Sequence, residues 1–579
     1  MRADETMIER QKDICDKGIY DVSVSAMTVL GFSMLFLSIF APYAHASIIY
    51  VPDDYSKIQR AVDSAAAGDT IIVRDGVYVE NININKQLTL RSENGSANCI
   101  VKAATYYDDV FHVTADYVNI YGFTIKGGYD GIYLYAENCN IANNKILDNW
   151  CGISLGGSSS NNITGNIISN NDCGIYLVGS SNIIITGNNI SNNGGGICSW
   201  ESSNNITGNI ISNNEWYGID LWDSRNNNIT GNTMKNDGVS IWGYKLRHWN
   251  THTIENNTVN GKPLYYFKNK SGGKVPEDAG QVILANCTGM LLENLIINNT
   301  NVGIEIGFSS QNIIKNNNVS NNRDGIYLRD SSSNNITGND ISNNIKYGIR
   351  LDDSSNNIIY LNNFINNTDS VDSYGSTNIW NSTSQIKYTY KGKTYMNYLG
   401  NYWSDYTGSD KNGDGIGDAP YIINGDRDNY PLIEPFENYF AQVEEFDTGA
   451  PSNPYPSISG IFKGTIKTKV TIEVSKIYTY ACECTGGHTK YARIYNDTWS
   501  VETLPWEGYK GDWKNISFSE TFNLYADVEY NITLITGSYP QIHHTRSLET
   551  ENGWINCSEF VDANGNVYND WIPAIKLYA

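Results

Sequence analysis

Residues 161–171 read NNITGNIISNN; the same block returns at 204–214 and, with one change, at 334–344. Between these blocks lies a second marker, Gly followed by Ile or Val, at Gly131, Gly152, Gly174, Gly196, Gly218 and Gly238, resuming at Gly303, Gly325 and Gly348. Both recur about every 22 residues, room for two or three short strands with their turns and too little for a propeller blade or helical hairpin. In Gly-Ile-x-Leu the alternation turns Ile and Leu inward and the residue between them outward. Coils stacked about 4.8 Å apart align equivalent side chains into columns. The Ile132, Ile153, Ile175, Ile197, Ile219, Ile304, Ile326 and Ile349 column predicts a continuous core. Asn in the turns tolerates left-handed backbone and forms amide ladders from coil to coil. The Asn-Ile-Thr triplets also read as glycosylation acceptors, although ladder-forming turns account for them without a sugar. The expectation is all-β: a right-handed parallel β-helix.

The 579 residues suffice for two or three domains, and 18% charged residues with 13 prolines suit many short strands. A formal charge of -22, almost all of it beyond residue 46, argues against nucleic acid or an anionic membrane as partner. Residues 24–41 are an apolar run followed by Ala44-His45-Ala46, a cleavage-type signature, so residues 1–46 are expected to be a signal peptide or N-terminal anchor. The protein is then secreted, extracellular or periplasmic, touching a membrane only through that segment. Ten cysteines fit the compartment without the density of a disulfide scaffold. Residues 55–67 predict one amphipathic helix that caps the open first coil. The expected domains are a β-helix over 47–440, a linker over 441–457 and a β-sandwich over 458–579.

Several non-repeat segments carry a family resemblance. VPDDYSKIQRAVDSAAAGDTIIVRDGVYVENI, HWNTHTIENNTVNGKPLYYFKN and NYWSDYTGSDKNGDGIGDAPY with DNYPL, together with the NNITGN repeats, resemble NosD-like β-helix proteins of the carbohydrate-binding and sugar-hydrolase (CASH) repeat type. The resemblance runs from about Val51 to Phe436. It implies an envelope protein; members include a periplasmic factor for copper-site assembly, and distant β-helix relatives are polysaccharide lyases, hydrolases and epimerases. The last domain resembles a module attached to such β-helices in archaeal surface proteins. Its cysteines leave Cys482 or Cys484 to pair with Cys557, and the resemblance implies Cys482.

The outward columns hold the candidate site. Between Ile and Leu stand Tyr133, Asp220, Tyr327 and Arg350; two residues on come Tyr135, Trp200, Trp222 and Trp242, with Glu201 and Asp223 beside them. Three tryptophans on successive coils flanked by acids suit a sugar groove, since flat rings stack on pyranose faces and carboxylates accept hydroxyl hydrogen bonds. The alternative is an aromatic ladder that only stiffens the sheet. Glu201, Asp220 and Asp223 are the catalytic candidates, because acids on adjacent coils stand about 5 Å apart, a retaining-hydrolase separation. Residues 244–274 form a basic insertion with Lys245, Arg247, His248 and His252, able to neutralise a uronate or simply solvated. The two histidines make only a weak metal motif. Asp410, Asn412, Asp414 and Asp418 have oxygen side chains spaced like the start of a calcium loop, with Tyr421 where the last ligand belongs and Asp426 and Asp428 as substitutes.

The sequence thus points to a secreted or surface β-helix that binds polysaccharide or envelope glycan, with calcium as expected cofactor. An enzyme acting on acidic glycans and a copper-site maturation factor are the alternatives, copper resting on the resemblance alone.

Overall fold

The computed structural model describes residues 46–440 and 445–579; the apolar run 24–41 lies outside them. Among the described residues no helix is long and apolar enough to cross a membrane. The chain forms the parallel β-solenoid the repeats predict, in two arms with separate cores. A short helix, α1 (Ile58–Ser64), buries Ile58, Ala61 and Val62 against the first coil. Glu80 accepts hydrogen bonds from the amides of Ile58 and Gln59, the free donors at its start.

The first arm has three sheets, and its Gly-Ile sheet stacks eight strands from Ile82–Ile84 to Val239–Trp242. Ile132, Ile153, Ile175, Ile197 and Ile219 align in register and have 0% exposure. Ile304, Ile326 and Ile349 form the same column in the second arm.

The solenoid does not run straight. Strand Lys262–Lys268 pairs antiparallel with Thr258–Val259. The reversal sits at Asn260-Gly261, both at positive φ (52° and 79°), the dipeptide that tight hairpins select. The second arm then stacks Lys262–Lys268, Gln281–Ala285, Val302–Gly307, Asp324–Arg329, Tyr347–Asp352 and Asp369–Tyr374 in parallel. Its outward side chains cover the free edge of strand Val239–Trp242. Gln281 takes the Val239 amide (3.0 Å) and donates to the Val239 carbonyl (2.7 Å); Glu305 accepts from the Ile241 amide (2.9 Å). Asn301 accepts from the Gly218 and Gly238 amides. An exposed edge of unpaired amides is thereby satisfied by side chains instead of by another strand.

The asparagine doublets divide two tasks the sequence reading had assigned to one residue. Asn170, Asn213 and Asn343 take the left-handed turn (φ 54–56°), whereas Asn171, Asn214 and Asn344 are buried and build ladders. The longest ladder runs Asn144, Asn166, Asn188, Asn209, Asn232, Asn257, each side-chain oxygen accepting from the previous rung. Three ladders end on a carboxylate: Asn214 on Asp237, Asn378 on Asp426, Asn401 on Asp428. A last rung needs only an acceptor, which a carboxyl oxygen supplies. The acceptor-type triplets at Asn162, Asn205 and Asn335 are outside the ladders: the preceding Asn161, Asn204 and Asn334 supply the rungs.

The C-terminal sheets, of four and seven strands, enclose their own core from Phe446 to Leu577. Residues expected as linker belong to it: Phe446–Asp447 pairs with Leu577 and Lys576, and Thr448 bonds Ile575. Beyond that edge strand the Pro-rich stretch is irregular, with bends at Ser452 and Pro456.

Candidate functional site

Trp200, Trp222 and Trp242 are direct partners on successive strands. Their rings stack at 5.4 Å and 6.2 Å between centroids, tilted by 23° and 22°. Trp200 and Trp222 are half-exposed, while Trp242 is 7% exposed, because Tyr327 of the second arm lies 4.7 Å away and the Arg350 guanidinium 4.8 Å over its ring.

Glu201 and Asp223 follow Trp200 and Trp222 at positive φ (47° and 46°), turns that swing both carboxylates off the sheet. They share an open cleft of about 290 Å³ with Arg225, Lys245, Arg247 and His248. The loop carrying the last three is anchored by Trp249, fully buried, whose indole N–H donates to Gly243 (2.9 Å) and whose carbonyl accepts from the Tyr266 hydroxyl. Gly307 makes room for it; a Cβ there would meet the Trp249 ring at 2.1 Å. Asp223 lies 2.8 Å from Nδ1 of His248. The cleft therefore sets two carboxylates and an imidazole among three cations. Planar guanidinium groups match carboxylates in bidentate fashion, and the ladder offers aromatic faces beside them.

The expected open groove is corrected at its far end. Asp220 and Trp242 face outward from the first arm and Tyr327 and Arg350 from the second, yet the two arms meet there. Tyr327 is 1% exposed and its hydroxyl donates to Asp352 (3.1 Å); Arg350 pairs with Asp352 (3.3 Å) and Asp372 (3.6 Å). Burial pushes the Asp220 carboxyl up to about 7, opposed by Arg323, and Asp324 up to about 6. Glu305 goes well above its ordinary value, again through burial. Trp242, Glu305, Asp324 and Tyr327 are buried where the arms meet, and Asp220 and Arg350 are partly exposed beside them. Tyr133 stacks on His112 (5.0 Å) and Tyr135 is 62% exposed, both several coils from the cleft. Arg225 escaped the sequence reading. Lys245, Arg247 and His248 were legible only as a basic insertion, since nothing local says that their loop returns to Asp223.

Residues 62–266 and 269–408 match the family described as "Periplasmic copper-binding protein (NosD)". The chain belongs to the NosD family. A "Cell surface glycoprotein" of Methanothermus fervidus is 45% identical over 95 residues, 16% of each chain, so the match spans about a sixth of that relative. Among solved structures, the A-module of the Azotobacter vinelandii mannuronan C-5 epimerase AlgE4 is similar over 56% of this chain and 96% of its own, at 16% identity and TM-score 0.31. Pectate lyase Pel9A is similar over 51% of this chain and 78% of its own, at 14% identity and TM-score 0.29.

Among the described residues of this NosD-family chain, no three His, Cys, Asp or Glu side chains are arranged to hold a metal ion. His252 ends a ladder: Nδ1 accepts from the Asn227 amide, Nε2 meets the His248 carbonyl, and burial lowers its pKa to about 4. The Cys173 and Cys198 sulphurs touch at 3.1 Å, and neighbouring thiols with burial hold both thiol pKa values well above the ordinary one. In the 410–418 loop the carboxylates turn onto the loop's own amides: Asp410 accepts from Gly413, Asp414 and Gly415, Asp414 from Ile416, Asp418 from Lys411, and Asn412 donates to Asp414. Asp426 and Asp428, the expected substitutes, end ladders elsewhere. Every cysteine among the described residues is a free thiol, so the implied Cys482–Cys557 bond is corrected. Cys482 faces the Pro540 carbonyl and Cys557 the Trp571 carbonyl.

Proposed function

We propose that this NosD-family protein is a cell-surface or secreted β-helix that binds an acidic polysaccharide in the cleft beside the Trp200–Trp222 ladder. The observation that carries this reading is the convergence of Arg225, Lys245 and Arg247 with Glu201 and Asp223 next to half-exposed indole rings. The cations meet a uronate carboxylate, the acids accept hydroxyls, and the rings stack on the sugar. The similarity to a protein named a cell surface glycoprotein supports the location. Titration with a hexauronate tests it: Trp222→Ala and Arg247→Ala should each weaken binding by about 1–3 kcal/mol, roughly 5- to 150-fold. Wild-type protein that binds no acidic oligosaccharide would end this reading.

The Asp223–His248 contact favours a second reading, an acid–base step on the same glycan. A base poised beside cations that neutralise the uronate carboxylate is what proton abstraction next to that group requires. In that case Asp223→Asn abolishes turnover while hexauronate binding persists.

A further inference from the structure

The β-sandwich has a cleft of its own, about 240 Å³, lined by Trp506, Trp513 and Leu504 with Glu507, Lys510 and Asp512 around them. We propose that this loop is a second, independent saccharide site, taking one ring of a neutral, hydroxyl-rich glycan.

The aromatic side of the cleft is built before any ligand arrives. His488, fully buried, stacks on Trp506 at 3.8 Å and 12°, fixed from behind by its Nδ1 contact with the Gly486 carbonyl (2.6 Å). Burial lowers the His488 pKa, so the ring is a neutral backing plate. Tyr509 stands edge-on to Trp506 at 5.1 Å and to Trp513 at 6.1 Å, and the Trp506 indole N–H donates to the Trp513 carbonyl. The two tryptophans are thus held in one arrangement, although each is half-exposed. The Trp513 indole N–H is enclosed yet makes no hydrogen bond. Such fixed rings bind sugars with little ordering loss.

Size and charge choose the ligand. The cleft is smaller than the roughly 300–1,000 Å³ of sites for drug-sized ligands, which suits one ring of a chain that continues into solvent. Glu507 and Asp512 outnumber Lys510, the reverse of the first cleft, where Arg225, Lys245 and Arg247 outnumber Glu201 and Asp223. A uronate is therefore disfavoured here, and carboxylates facing hydroxyls are favoured. Two sites on one chain, one for acidic and one for neutral sugar, raise the effective concentration of a mixed glycan at both.

The test is calorimetric titration of the full chain with neutral hexasaccharides (cellohexaose, mannohexaose, maltohexaose) and separately with a hexauronate. At least one neutral hexamer should bind wild type, and its affinity should fall at least tenfold in Trp513→Ala and in Glu507→Gln while Trp222→Ala leaves it unchanged. Glu507→Gln alters only an exposed side chain, so it keeps the test valid if Trp513→Ala unfolds the sandwich. Absence of binding by all three neutral hexamers at millimolar concentration, or binding indifferent to Glu507→Gln and Trp513→Ala, overturns the proposal. Loss of hexauronate binding in Trp222→Ala reads the first cleft alone, so the two readings fail separately.

Discussion

Asn188→Ala probes the ladder that holds the first arm in register. The side chain is 1% exposed and its oxygen accepts from the Asn166 amide (2.9 Å) and the Asn166 side chain (3.1 Å). Its nitrogen donates to the carbonyls of Ile163 (2.9 Å) and Thr186 (3.2 Å) and to Asn209 (3.0 Å). Asn166 keeps its bond to Ile141, and Asn209 keeps the Asn188 amide, so neither side chain is stranded. The Asn166 amide loses its acceptor outright, and the Ile163 carbonyl loses a donor. A stranded buried group costs about 1–3 kcal/mol, so the substitution should cost about 2–4 kcal/mol. Neighbouring Asn189 is exposed, and Asn189→Ala should stay within about 0.5 kcal/mol of wild type. Solenoids open locally, so amide exchange is a better assay than a global melt. Protection across residues 163–209 should fall by about 30- to 1,000-fold for Asn188→Ala. Equal protection in the two variants would refute the claim that the ladder holds the first arm in register.

Ile175→Asp should prevent folding, since it puts an unpaired charge in a fully buried column, whereas Tyr135→Asp should be silent; circular dichroism and yield decide. Tyr176→Asp should also destabilise, because that outward residue is only 8% exposed. The arm junction should weaken with rising pH. Asp220, Asp324 and Glu305 have raised folded values, so their contribution is full below about 4 and lost as pH climbs through about 6 (Asp324) and 7 (Asp220). Exchange of the Ile241 amide should accelerate between pH 5 and 8 beyond its intrinsic change, and Glu305→Gln, which retains an acceptor for that amide, should reduce the effect. Asp410→Ala should lower the melting temperature of the β-helix equally in chelator and in millimolar calcium, because its acceptors serve three loop amides. A loss seen only with calcium would instead support the expected metal role, worth about 2.7 kcal/mol at one hundred times the dissociation constant.

The repeat period, the inward isoleucine column and the capping helix were legible in the residues, because each follows from alternation and spacing within one or two coils. Gly-Ile-x-Leu names the faces of a strand without reference to anything distant. Which outward faces stay outward was not legible. Asn260-Gly261 announces a reversal, but only the folded chain shows that it lays Gln281, Glu305 and Tyr327 over the edge and ladder of the first arm. The same holds for the cleft: Arg225 stands two residues past Asp223 on the coil next to Glu201, whereas Lys245, Arg247 and His248 arrive on a loop that the buried Trp249 anchors. Local periodicity fixes what a coil is, because its forces act between neighbours. Where one arm meets another depends on satisfying a free strand edge and burying long-range pairs, and those partners lie far apart in the chain, 85 residues from Asn301 to Trp216 and further still from Trp242 to Arg350.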